Sequence, residues 1–174
     1  MGNTVLPIRK LDDVRGEVRN LLANAQQTYG FVPNILGVMA NAPSALKGYM
    51  TLSSIFDETS LSPTERQIVL LTVSFENECA YCMVAHSGIA KLQKVDEEII
   101  TALQEGKPLV DDKLEALRLF TREIITTRGW PSEEAKNNFL EVGYDPSVML
   151  EVVLGVALKT LSNYTNHLAD TELD

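Results

Sequence analysis

This chain is poor in cysteine, histidine and basic residues. It has only two cysteines and two histidines among 174 residues, and 15 lysines and arginines stand against 24 acidic residues. The net charge is −9, and no run of basic residues occurs. A protein that neutralises phosphates needs a clustered basic face, so we expect neither nucleic acid nor an anionic membrane as a partner.

Long apolar runs are also lacking. The opening residues, MGNTVLPIRKLDD, have no apolar segment of the kind that a secretory signal carries. The longest apolar stretch, VMLEVVLGVALKTL, is interrupted by Glu151 and Lys159 and is too short to cross a bilayer. We therefore expect a soluble, cytoplasmic protein. In a reducing compartment, two cysteines three residues apart favour metal binding or redox chemistry over a structural disulfide.

Helical periodicity fills most of the chain, and no stretch alternates for long enough to predict a strand. The clearest helix start is Ser62, followed by Pro63 and then Glu65, which is the capping-box pattern. We predict one all-α domain, a helical bundle that covers residues 1–174. Helices are expected at 11–28, 34–40, 44–56, from 63 onward, and at 79–91, 96–104, 111–127, 132–141 and 146–168.

The last predicted helix, 146–168, is apolar nearly all round in its first half. A helix of this kind lies either in the centre of a core or against another subunit. Together with the many apolar helices of a small chain, this pattern predicts a homo-oligomer.

The segment ENECAYCMVAHSG contains both cysteines and His86. On a helix that begins at Cys79, Cys82 is rotated about 60° and His86 about 20° to the same side, so the three share one stripe. Cys82 and His86 are four residues apart, and their side chains should meet. Glu76 would join the stripe only if the helix extended further back, but the polar FENEC predicts a break there.

Three interpretations of this segment remain open. In the first, a base beside one thiol favours its thiolate, and the second thiol condenses with the oxidised first one, so the pair is a redox centre without metal or organic cofactor. In the second, the segment is half of a metal site, for which His167 is the spare histidine. In the third, the cysteines and His86 only pack in the core. The spacing favours the redox pair.

The stretch ERQIVLLTVSFENECAYCMVAHSGIA resembles the core of the carboxymuconolactone decarboxylase / alkylhydroperoxidase D-like (AhpD-like) superfamily. Its redox-active members carry CxxCxxxH at the start of a helix, as this sequence does. The family core would span about residues 44–130. The resemblance implies an all-helical, oligomeric subunit that acts as a thiol-dependent hydroperoxide reductase, with the alkylhydroperoxidase or peroxiredoxin type of activity.

The resemblance also implies roles for the site residues. Cys82, with His86 as its activating base, would attack the hydroperoxide and become a sulfenic acid. Cys79 would then form the Cys79–Cys82 disulfide. A dithiol reductant, either a lipoylated or a thioredoxin-like protein, would restore the thiols, and no metal or cofactor would be needed.

Two positions depart from the family pattern. Gln67 stands where the family relay has a glutamate, and Tyr81 stands where the best-known peroxidases have a histidine. Both changes remove titratable groups, which favours an alternative function, a thiol–disulfide exchange or redox-sensing oligomer with little peroxide turnover. The candidate proton-relay residues are Glu65, Gln67, Glu76, Tyr81 and His167.

Overall fold

A computed structural model of the protein describes residues 5–174. Within this range the regular structure is entirely helical, which confirms the predicted all-α class. Residues 1–4 of the predicted domain lie outside the described range. The helices are a 3-10 turn at Leu11–Asp13, α1 Gly16–Tyr29, α2 Asn34–Met39, α3 Pro43–Asp57, α4 Pro63–Glu76, α5 Ala80–Leu92, α6 Glu97–Gln104, α7 Asp112–Thr126, α8 Glu133–Glu141 and α9 Pro146–Ala169.

Helix starts follow the capping signals in the sequence. At α4 the predicted capping box is present, because Ser62 Oγ accepts from the Glu65 backbone N–H and Glu65 Oε2 accepts from the Ser62 N–H. Such caps satisfy backbone donors that have no partner in the first turn. Side chains that cap α6 to α9 in the same way are those of Asp96, Asp111, Ser132 and Asp145.

The predicted helix at 11–28 is wrong at its start. Asp13 accepts a hydrogen bond from the Lys10 backbone, which closes a short turn, and the chain is extended at Val14 and Arg15. Gly16 then takes a φ of +58°, a conformation that glycine adopts without strain, and the helix begins there. A local side-chain hydrogen bond thus competes with the helical periodicity.

The break predicted within FENEC is confirmed, but α5 begins one residue later than predicted. Helix α4 ends at Glu76, and Glu78 has a φ of +54°, which turns the chain sharply. The Cys79 N–H donates to the Ser74 carbonyl at 2.9 Å, so Cys79 is tied to the end of α4 and serves as the N-cap residue of α5.

Helix α4 lies at the centre of the bundle, with every residue from 67 to 74 buried, and it packs against α5, α7 and α9. Gly155 permits the close approach of α9. A Cβ atom there would lie 2.7 Å from Val69 Cγ1 and 2.8 Å from Phe56 Cε2. This contact brings the second half of α9 over the beginning of α5.

A second apolar cluster surrounds the cysteines. It joins α1, α2 and α3 to the first turn of α5, and Cys79 and Cys82 pack in it beside Leu36, Met39 and Leu46. No helix within residues 5–174 is long and apolar enough to span a membrane. On α9 the inner face is buried while Leu150 and Val153 are exposed, and the homo-oligomer stays a prediction.

Candidate active site around the two cysteines

The two sulfur atoms share a small buried space at the start of α5. Both cysteines are free, with Cys79 1% and Cys82 3% exposed. The Asn166 side-chain amide from α9 lies 3.2 Å from Cys82 Sγ and 3.8 Å from Cys79 Sγ. One amide therefore donates toward both sulfurs, and α9 forms the wall that faces them.

That wall is a polar stripe on an otherwise apolar helix. Lys159, Ser162, Asn163 and Asn166 are all buried and follow the i, i+3, i+4, i+7 spacing that places residues on one helical face. Ser162 Oγ lies 4.0 Å from Cys82 Sγ. Sequence reasoning missed these four residues, although four polar side chains at helical spacing in an apolar helix are a usable signal.

Asn163 fixes this stripe to the turn that precedes the cysteines. Its Oδ1 accepts a hydrogen bond from Asn77 Nδ2 at 2.9 Å, and its Nδ2 donates to Ser74 Oγ at 3.4 Å. Both partners belong to the end of α4, to which Cys79 is also bonded. The thiols and the polar face of α9 are therefore held in one network.

Lys159 is the cation beside the thiols. It is 1% exposed, no carboxylate among the described residues pairs with it, and it lies on the same face of α9 as Ser162 and Asn166, whose polar atoms are 4.0 and 3.2 Å from Cys82 Sγ. Burial lowers the pKa of Lys159, and the nearby Cys82 opposes that effect. A buried ammonium with a sulfur as its neighbour favours the anionic form of that sulfur.

The two thiols have opposite acidities. A hydrogen bond from Cys79, followed by the charge of Lys159, lowers the pKa of Cys82 against the effect of burial. The same hydrogen bond, with burial, raises the pKa of Cys79. The arrangement therefore favours a thiolate at Cys82 and a protonated thiol at Cys79.

His86 and Gln67 are in direct contact. His86 Nδ1 lies 3.1 Å from Gln67 Oε1, and Gln67 Nε2 donates to Gln93 Oε1 at 3.1 Å. Because an amide oxygen only accepts, Nδ1 carries the hydrogen and the lone pair of His86 is on Nε2. Burial, with the charge of Lys159, lowers the pKa of His86, so the ring is neutral at neutral pH.

Two of the predicted relay acids lie in other contacts. Glu65 caps α4 and accepts a hydrogen bond from Tyr144 Oη at 2.8 Å. Glu76 forms an ion pair with Arg122, with 3.0 Å between Oε1 and Nε. Neither carboxylate bonds to His86 or to a sulfur.

Tyr81 and His167 also bond elsewhere. The Tyr81 hydroxyl donates to Oδ2 of Asp174 at 2.5 Å, and Asp174 lies in the segment that follows α9. His167 is exposed on α9 and stacks against Tyr164, with 6.2 Å between the ring centroids. Of the five candidate relay residues, the structure brings Gln67 alone into contact with His86.

One acceptor beside the sulfurs has no partner. Asn166 Oδ1 is buried and makes no hydrogen bond within the described chain, while its amide nitrogen donates to both sulfurs. Buried polar atoms are nearly always paired, so an open acceptor at this position is suited to a small hydrogen-donating ligand. Residues 5–174 contain no group of three or more His, Cys, Asp or Glu side chains that could hold a metal ion.

The sequence of the site region matches a known family. Residues 43–123 match the family model described as the carboxymuconolactone decarboxylase family, and this range includes both cysteines and His86. The family resemblance predicted from the sequence is thus confirmed over these residues. A comparison with curated proteins gives no match.

Several solved structures share the fold over nearly the whole chain. One is described as an alkylhydroperoxidase AhpD core, an uncharacterized peroxidase-related protein from Ralstonia eutropha JMP134, with 19% identity, a TM-score of 0.87, and coverage of 97% of this chain and 90% of that chain. An uncharacterized peroxidase-related protein from Silicibacter sp. TM1040 has 19% identity, a TM-score of 0.84, and coverage of 99% and 92%. The debrominase Bmp8 has 19% identity, a TM-score of 0.82, and coverage of 99% and 93%. At these identities the likeness establishes the AhpD-like helical fold.

Proposed function

We propose that this protein is a thiol-dependent hydroperoxide reductase. The proposal starts from the match of residues 43–123 to the carboxymuconolactone decarboxylase family. The observation that carries the proposal is that the two buried thiols share one amide donor, Asn166 Nδ2, which lies 3.2 Å from Cys82 Sγ and 3.8 Å from Cys79 Sγ. The pKa of Cys82 is lowered and that of Cys79 is raised, which agrees with a thiolate at Cys82. A thiolate is the nucleophile that peroxides oxidise, and a neighbouring thiol resolves the product.

The reaction proceeds through two bond exchanges. The Cys82 thiolate attacks the terminal oxygen of the hydroperoxide, the O–O bond breaks, and Cys82 becomes a sulfenic acid. The released alkoxide takes up a proton and leaves as an alcohol. The Cys79 thiol then attacks Cys82 Sγ, the disulfide forms, and water leaves. A dithiol on a lipoylated or thioredoxin-like protein returns both electrons by thiol–disulfide exchange.

His86 is suited to move the proton of Cys79. Its Nε2 lone pair is free to accept because Gln67 holds the hydrogen on Nδ1. No described hydrogen bond joins His86 to either sulfur, so this transfer would pass through a water molecule or a small shift of the ring. His86 is thus a base for the resolving step, while Lys159 has the electrostatic influence on Cys82.

A second candidate function is reductive dehalogenation. The likeness to the debrominase Bmp8 over 99% of this chain favours it. In that reaction the Cys82 thiolate would take a bromine from an electron-rich aromatic ring, and the carbon would keep the bonding pair and accept a proton. Cys79 would then displace bromide to form the same disulfide, so both candidates use the two thiols in the same order.

The experiment mixes reduced protein with tert-butyl hydroperoxide or with a brominated pyrrole. We expect the hydroperoxide to consume both thiols of each chain and to form an intramolecular disulfide, and Cys82→Ser to abolish this reaction. Cys79→Ser should instead accumulate a sulfenic acid that dimedone traps on Cys82. An unchanged thiol titre after excess hydroperoxide would contradict the proposal, and release of bromide would support the second candidate.

A further inference from the structure

Lys159 is a buried cation that no acidic residue of the described chain neutralises. Burying an ammonium without a counter-charge is costly, so proteins keep such a group where its charge is used. The neighbouring groups of α9, Ser162, Asn163 and Asn166, are neutral. The partner of the charge must therefore come from the element that α9 faces.

The titratable groups that face Lys159 are few. From α5 these are Cys79, Cys82 and His86, and from α3 Tyr49 packs against the cluster that contains both cysteines. Burial raises the pKa of Tyr49 and, with the charge of Lys159, lowers that of His86, so both side chains are neutral at neutral pH. Of the two thiols, Cys82 holds the negative charge, because its Sγ lies 3.2 Å from Asn166 Nδ2, against 3.8 Å for Cys79 Sγ, and 4.0 Å from Ser162 Oγ.

We propose that Lys159 is a catalytic residue with two successive roles, first as the counter-ion of the Cys82 thiolate and then as the acid that protonates the alkoxide released when the O–O bond breaks. The inference rests on the proposed hydroperoxide reduction. It places the proton source on α9 and not on a relay through Gln67, whose side chain cannot ionise.

The step balances in atoms and electrons. The thiolate sulfur attacks the oxygen that carries hydrogen, an S–O bond forms, and the electron pair of the O–O bond leaves on the alkoxide. The ammonium of Lys159 gives this alkoxide a proton, which yields an alcohol, a Cys82 sulfenic acid and a neutral amine. The Cys79 hydrogen later leaves with the sulfenic hydroxyl as water. When a dithiol reduces the disulfide, Cys82 leaves as a thiolate and the released proton returns to Lys159.

Charge conservation within the buried site supports these roles. Before the reaction the thiolate and the ammonium cancel, and after it the sulfenic acid and the amine are both neutral. The site never holds an unpaired charge, which would be costly at this depth. Asn166 Oδ1, the open acceptor, is placed to hold the hydroperoxide hydrogen while the oxygens react.

The test compares Lys159→Met and Lys159→Arg with Lys91→Met, which alters an exposed lysine on α5. Iodoacetamide alkylation measures the thiolate alone, tert-butyl hydroperoxide releases an alkoxide that needs a proton, and peracetic acid releases a stable carboxylate that does not. We expect Lys159→Met to slow alkylation at pH 7 roughly 30-fold, because an ordinary cysteine is only a few per cent thiolate there. Lys91→Met should match the wild type in all three assays.

Lys159→Arg separates the two roles. A guanidinium keeps the charge but is a very weak acid, so alkylation and the peracetic acid reaction should stay near wild-type rates. The tert-butyl hydroperoxide reaction should fall about 100-fold, the lower range for loss of a general acid. If Lys159→Arg does not fold, the solvent isotope effect on the wild-type rate tests the proton donation instead. We expect this isotope effect to be larger with tert-butyl hydroperoxide than with peracetic acid, because only the alkoxide needs a proton.

Each contrary result has one meaning. Wild-type alkylation by Lys159→Met would overturn the counter-ion role. An equal fall in the rate of Lys159→Arg with both peroxides would overturn the proton donation. Equal solvent isotope effects on the wild-type rates would overturn it as well. A wild-type protein that reduces neither peroxide would overturn the proposed function and the proton donation with it, while the alkylation rates would still decide the counter-ion role.

Discussion

Tyr81 and Asp174 are joined by a hydrogen bond of 2.5 Å between the phenolic oxygen and Oδ2, although they lie 93 residues apart in the sequence. Asp174 Oδ1 also accepts from the Asn34 backbone N–H at 2.7 Å, and the Asn34 side chain donates to the carbonyls of Glu172 and Leu173. These bonds hold residues 172–174 against Asn34 and against Tyr81, one of the two residues between the cysteines.

This contact predicts that Tyr81→Phe or Asp174→Ala will expose the thiols. Each variant loses the Tyr81–Asp174 bond, whose net value of about 1.4 kcal/mol corresponds to a tenfold change in an opening equilibrium, and also a weaker contribution from the backbone N–H of Ile35 or Asn34. We therefore expect a bulky maleimide to modify the reduced protein about ten times faster. Glu172→Gln is the matched control, because only the backbone carbonyl of Glu172 makes the contact, and an equal acceleration in that variant would contradict the prediction.

A second prediction concerns Gln67→Glu. A carboxylate at the position of Gln67 Oε1 would accept the hydrogen of His86 Nδ1 and raise the pKa of His86, because an adjacent negative charge favours the imidazolium. A more basic ring should speed disulfide formation after the hydroperoxide has reacted. Stopped-flow measurement of that phase, beside NMR titration of the histidine, tests both effects. Gln93→Glu, at the exposed end of the same hydrogen-bond chain, should leave the rate unchanged.

A third prediction is a histidine-specific loss of stability in acid. Burial lowers the pKa of His86 in the folded chain, whereas in the unfolded chain it lies near about 6.5. Below that pH the unfolded state binds a proton that the folded state does not, so the free energy of unfolding falls as the pH falls, by at most about 1.4 kcal/mol per pH unit. The loss extends from about pH 6.5 down to the lower pKa of the folded state.

Urea denaturation at several pH values between 5 and 7 measures this slope. His86→Gln should reduce it relative to the wild type. The exposed His167, the other histidine of the chain, supplies the control, since His167→Gln should keep the wild-type slope. Identical slopes in the wild type and His86→Gln would show that His86 does not carry the effect.

A fourth prediction concerns the contact between α9 and α4. In Gly155→Ala the new methyl group would meet Val69 and Phe56 at less than 3 Å, and overpacking of this kind costs about 1–3 kcal/mol. Gly48→Ala, in α3 with open space around it, should instead stabilise the fold by about 0.5–1 kcal/mol. Chemical denaturation of both variants tests the contrast, and a stabilising Gly155→Ala would show that α9 can shift without cost.

The helices could be predicted from the sequence because their signals are local. Ser62 and Glu65 are three residues apart and bond to one another, so the start of α4 needs no tertiary information. The start of α1 was placed wrongly because two local signals conflict there. The apolar residues at 11 and 14 fit a helix, but the Asp13 bond to Lys10 and the freedom of Gly16 interrupt it.

The site was predicted in part for the same reason. Cys82 and His86 belong to one helix, so rotation predicts a common face, but the described hydrogen bond of His86 goes to Gln67 and their predicted contact stays a prediction. Ser162 and Asn166 approach the sulfurs from α9, which Gly155 lets lie closely on α4, and no local pattern specifies which faces of two distant helices meet. Gln67 was identified through the family resemblance, and its contact with His86 is a tertiary one.

The polar face of α9 also has a consequence for the newly made chain. Cys82 and Ser162 are 80 residues apart, so the cysteines leave the ribosome well before Lys159 and Asn166 do. Until α9 folds over α5, Cys82 has no buried cation beside it and keeps the modest reactivity of an ordinary thiol. We therefore expect Cys82 of an unfolded chain to react with peroxide at the rate of an ordinary cysteine, and to gain reactivity only when α9 packs over α5.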